Sequence, residues 1–91
     1  MAQIHIEHKT SLSRDRIREK LGEVMGKVEE RFSLKGSWKG DDYLFTRSGV
    51  DGHAVVRDGV VVVDIKLGLM LSALKGIIES ELRTKLQEGL P

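Results

Sequence analysis

Apolar residues fall along the chain in distinct rhythms, and each rhythm predicts an element. In AQIHIEHK, residues 2–9, Ile4 and Ile6 alternate with His5 and Glu7, the period of two that marks a half-buried strand. The spacing then changes. Ile17, Leu21, Val24, Val28 and Phe32 recur at helical intervals with Met25 at the stripe's edge, predicting an amphipathic helix over about residues 13–32. Ser13 suits its N-cap, Asp15 lies where the helix dipole favours an acid, and Leu12 with Ile17 has the spacing of a hydrophobic staple.

The middle of the chain returns to strand-like patterning. GSWK and YLFTR read as strands separated by Gly40-Asp41-Asp42, and Ser48-Gly49 turns the chain into VDGHAVVR. Asp58-Gly59 is a two-residue hairpin signal before VVVVDIKL, whose Val61, Val63, Ile65 and Leu67 share one face. Four strands in succession with tight turns make an antiparallel meander. Gly68 then acts as a hinge. Leu71, Leu74, Ile78, Leu82 and Leu86 form one helical stripe flanked by Glu79–Arg83 and Glu81–Lys85 pairs, predicting a second helix over about 69–88 that ends at Gly89. The order β-α-β-β-β-β-α predicts an α+β fold, an antiparallel sheet with both helices packed on one face. Leu74 is expected in that core, where an aspartate should prevent folding.

Composition narrows the class. Ninety-one residues suit a single domain over 1–91, with 40% hydrophobic and 32% charged residues pointing to a globular chain rather than a disordered one. Fifteen basic and fourteen acidic residues leave a net charge of +1, with no electrostatic footprint for nucleic acid. No stretch reaches the roughly 18 apolar residues of a membrane span. MAQIHIEHK lacks the pattern of a signal peptide, and the absence of cysteine fits a reducing compartment, so a soluble, cytoplasmic protein is expected.

Once the core is filled, some residues remain over. Leu69 and Ile77 fall outside the second helix's stripe with Met70 between them, while Ser72, Ala73, Gly76 and Ser80 make the opposite side small. Gly22 and Gly26 lie four apart on the first helix. Such glycines are either tolerated surface positions or places where another backbone approaches closely. Val55, Val60 and Val62 alternate away from the core beside His53, Asp64 and Lys66, as ordinary surface valines or as an interface. These two faces are the candidates for a homodimer contact. The candidate interaction surface is Leu69, Met70, Ser72, Ala73, Gly76, Ile77 and Ser80.

Chemistry finds little support. His5 and His8 fall on opposite faces of one strand, so they cannot share a metal ion, and His53 is distant in sequence. Ser48, Asp51 and His53 resemble a catalytic trio only in composition, because the strand aligns the last two and leaves the serine in a turn. The glycines form no phosphate-binding fingerprint, and Trp38 reads as core or rim packing rather than a base-stacking platform. No catalytic, metal or cofactor residue is assigned, and a non-enzymatic protein is expected.

The blocks IHIEHKTSLS, FTRSGVDG and IKLGLMLSALKGIIESEL, in that order along nearly the whole chain, resemble the bacterial polyhydroxyalkanoic acid system proteins. The resemblance implies a setting near storage polyester, at a granule surface or with granule proteins, and no particular reaction. It does not extend to the long helices of phasins. An accessory protein acting through surface contacts is the reading that follows. The alternative is a small hydrophobic-ligand binder of helix-grip-like architecture, an analogy of fold alone.

Overall fold

Both rhythms are realised in three dimensions. A computed structural model describes residues 2–90, with β1 at Ala2–Lys9, α1 at Arg14–Phe32, β2 at Lys35–Lys39, β3 at Asp42–Arg47, β4 at Val50–Arg57, β5 at Val60–Leu67 and α2 at Lys75–Gly89. The fold is α+β, with the β-α-β-β-β-β-α order that the pattern predicts. All five strands pair antiparallel in the order β1-β5-β4-β3-β2. The meander accounts for β2 to β5. β1 adds itself beyond β5, from Ala2 opposite Leu67 to Lys9 opposite Val60, so α1 must carry the chain from one edge of the sheet to the other. β2 is the other edge, a five-residue strand with a lysine at each end.

Each hairpin closes through two residues, and Gly49 and Gly59 hold φ of +85° and +77°. Positive φ lets such short turns follow the right-handed twist of their strands, and glycine adopts it without strain.

The covered face of the sheet brings Ile4, Ile6, Phe45, Ala54, Val56, Val63 and Ile65 against both helices. From α1 come Ile17, Leu21, Val24, Val28 and Met25, which is fully enclosed rather than at the stripe's edge. From α2 come Ile78, Leu82 and Leu86. Two strand glycines make room beneath this layer. A side chain at Gly52 would collide with the ring of its cross-strand partner Phe45, and one at Gly36 with the Tyr43 hydroxyl and Glu29.

Three local expectations are corrected. Ser13 occupies the N-cap of α1, but its hydroxyl caps nothing. The Arg14 amide donates instead to Asp58 Oδ1 at 2.9 Å, so a carboxylate on the β4–β5 turn satisfies the helix end. Gly89 marks the end of α2 as expected, but from inside the helix rather than beyond it. It is the last helical residue, and a side chain there would collide with Val24 of α1. Leu90 follows it into the core, its carbonyl accepting a hydrogen bond from His8 Nε2 at 2.5 Å.

The third correction concerns Leu71 and Leu74. Residues Leu69–Leu74 wind as a 3-10 segment, not as the first turns of α2, and none of them is buried. Leu74 joins the two windings at φ −90° and ψ 0°, so one helical wheel cannot run across it. Leu71 is half-buried against the core, while Leu74 is 38% exposed.

Stability should follow this corrected boundary. Leu82, 1% exposed, should lose about 2–5 kcal/mol on substitution by alanine. Leu74→Ala should cost less than about 1 kcal/mol. Chemical denaturation of both variants checks the contrast, and equal losses would return Leu74 to the core.

Candidate interaction surface

The 3-10 segment is an exposed apolar platform held in place from behind. The Gly68 amide donates to the Gly49 carbonyl at 2.8 Å, fastening the segment's start to the β3–β4 turn. Leu71 rests on Gly49 from the same side. Ser72 Oγ donates to the Leu69 carbonyl at 2.6 Å, which ties the first turn to itself. With Leu71 and Ser72 turned inward, the other side chains point out: Leu69 is 79% exposed, Met70 94% and Ile77 53%. Met70, Ala73, Leu74 and Ile77 are all exposed and lie close together in the chain, on both sides of the change of winding at Leu74. Single exposed leucines are ordinary, whereas several large apolar side chains grouped at one end are not.

The structure thus divides the seven candidates. Leu69, Met70, Ala73 and Ile77 come together, and exposed Gly76 lies beside them with open space where a side chain would stand. Ser72 is occupied by its own backbone. Ser80 faces elsewhere, into a hollow of about 600 Å³ between the helices that is lined by Val28, Arg31, Glu81 and Thr84. Leu74 is the member that helical periodicity missed, because a stripe calculation assumes continuous α-helix.

The uncovered face of the sheet makes a second grouping. Val55 and Val62 are cross-strand partners there, half-buried, with Leu44 nearby. Register also aligns His5, Asp64 and His53 in one row across three strands. His5 Nδ1 lies 2.5 Å from Asp64 Oδ1, and His53 Nε2 lies 3.8 Å from Asp64 Oδ2. The hydrogen bond to Asp64, with that carboxylate's charge, raises the His5 pKa above its ordinary 6.5. Spacing along the chain could not show this trio, since only the pairing of β1, β5 and β4 assembles it. A hollow of about 510 Å³ opens over it. Among the described residues, no cluster of three or more His, Cys, Asp or Glu side chains is arranged to hold a metal ion.

One further polar pair faces the helices. The Tyr43 hydroxyl donates to Glu29 Oε1 over Gly36, joining α1 to the sheet, and desolvation pushes the Glu29 carboxyl above its ordinary range. Trp38 is rim packing: its ring meets Tyr43 edge-on at 5.1 Å, and the Arg18 guanidinium lies 4.7 Å from its centre. Neither hollow lies between α2 and the sheet, where Ile4, Ile6, Ile78, Leu82, Leu86 and Leu90 fill the interior.

These features define a small α+β protein with one covered sheet face and an apolar rim at one end. The chain belongs to the family described as "Putative polyhydroxyalkanoic acid system protein", whose model matches residues 4–90. A comparison with curated proteins finds no match. Among the described residues, no helix is long and apolar enough to cross a membrane.

Two titrations test the polar contacts. By NMR, His5 should titrate above 6.5, and Asp64→Asn should return it toward that value. The pair's contribution to stability is present below the ordinary histidine pKa and is lost as pH rises through the raised one. Glu29 carries the same sign: its raised pKa means that ionisation works against the fold. Melting temperatures of the native chain and Glu29→Gln, which keeps an acceptor for Tyr43, should therefore diverge. The native protein should lose ground as pH rises through the Glu29 titration, and parallel curves would remove Glu29 as the cause.

Proposed function

We propose that the protein is a non-catalytic accessory component of the polyhydroxyalkanoate storage system. It works in the cytoplasm and docks to the granule through Leu69, Met70, Leu74 and Ile77. The observation that carries the proposal is this grouped apolar exposure on a segment tied to the β3–β4 turn, in a chain of that family. Covering each such side chain supplies about 1.5–3 kcal/mol, so a few of them suffice for reversible attachment. Gly76, beside them at the start of α2, has open space where a side chain would stand.

The ligand-binding alternative has less to support it. A helix-grip site needs space between the last helix and the sheet, and that layer is filled with side chains.

Sedimentation with isolated polyhydroxyalkanoate granules is the direct test. The native chain should pellet with granules, and Met70→Asp with Ile77→Asp should lower the affinity at least about tenfold while leaving the melting temperature unchanged. Gly76→Leu separates a surface from a helical partner: it should preserve attachment to a surface and block a close helix contact. A native chain that stays in solution, or a double variant that pellets normally, would end this reading.

A further inference from the structure

We infer that the apolar rim meets an anionic lipid surface, with Leu69, Met70 and Ile77 entering the interface and surrounding cations holding its headgroups. This inference rests on the docking role proposed above and specifies the chemistry of the surface.

Antiparallel pairing gathers basic residues beside the patch. Lys35 stands opposite Thr46, Arg47 opposite Val50, and Val50 opposite Leu67, which places Lys35, Arg47 and Lys66 at one end of the strands, with Lys35 and Lys66 on the open face. The bond from Gly68 to Gly49 brings the 3-10 segment to that end, and Lys75 begins α2 directly after it. From Lys66 to Ile78 the chain holds two lysines and no acid. Among the described residues, none of Lys35, Lys66 and Lys75 has an ion-pair partner. Arg47 serves structure as well, donating to the Phe32 carbonyl at 3.0 Å.

The nearby acids offset this charge only in part. Glu79 pairs with Arg83 at 3.3 Å, and Asp51, directly opposite Lys66 on the same open sheet face, offsets that lysine in part while Lys35 and Lys75 have no acid facing them. Asp41, Asp42 and Asp58 lie at the other end of the strands, in or beside the β2–β3 and β4–β5 turns. Apolar exposure and unpaired positive charge therefore coincide at one end, the combination that an interfacial binder presents to anionic headgroups. A second copy fits less well. Two-fold contact through this rim would gather the lysines of both copies into one interface.

Flotation of the 91-residue chain with phosphatidylcholine vesicles, with and without phosphatidylglycerol, tests the inference. The protein should float with the anionic vesicles alone, and added salt should release it. Lys66→Gln with Lys75→Gln should weaken that binding about 25-fold, roughly fivefold per lysine. Met70→Asp should abolish it with the melting temperature unchanged. Equal flotation with both vesicles, or an unaffected lysine variant, overturns the inference. If the chain pellets with granules yet floats with neither vesicle, the granule role survives and the lipid surface does not. Failure in both assays removes both. A dimer that tightens in the lysine variant would instead identify a second copy as the occupant.

Discussion

A single apolar layer, one side chain deep on each side, holds this molecule together. A chain of this size has no second core in reserve, so the helices must seat closely on one sheet face. Glycine sets how closely at three points. Gly52 accommodates the ring of Phe45, Gly36 leaves space for Tyr43 and Glu29, and Gly89 lets the end of α2 meet Val24 of α1. The other sheet face is left uncovered because both helices are committed to this layer. The platform at Leu69–Leu74 lies outside it for the same reason: only Leu71 reaches the core from there.

Much of this was legible in the order of residues. Ile4 and Ile6 marked a strand, the stripe from Ile17 to Val28 marked α1, and Ser48-Gly49 and Asp58-Gly59 marked turns, all from local periodicity and local backbone preference. What stayed hidden depends on distant partners. No spacing places β1 beside β5, and so none reveals that Asp64 lies between His5 and His53. Asp58 caps a helix that begins many residues earlier, a role Ser13 was better placed in sequence to fill. The change of winding at Leu74 was invisible because leucine favours the α-helix and the 3-10 segment has no sequence signature of its own. The candidate surface was therefore half legible. Its large apolar members came from what the core left over, whereas the side-chain bond of Ser72 to its own backbone and the place of Ser80 in the hollow between the helices depend on the fold.

The structure also separates roles along its length. One end combines the platform with lysines, and the other carries the hairpin turns whose carboxylates engage α1, with Arg14 and Arg18 both reaching Asp41. The second arrangement stabilises the fold, and the first does not. Residues that neither fill the core nor satisfy a neighbour are maintained at a cost in solubility, which is why the rim rather than the turns carries the functional reading.

The short edge strand β2 has a consequence of its own. Proteins gathered on a surface move in two dimensions, where neighbours collide edge to edge far more often than in solution. A long, apolar strand edge would let such neighbours zip into a continuous ribbon. β2 offers only five residues, with Lys35 and Lys39 at its ends, so two copies meeting there bring positive charges together over a brief stretch of backbone. On the granule surface proposed above, such an edge would let copies crowd together and still part rather than lock strand to strand.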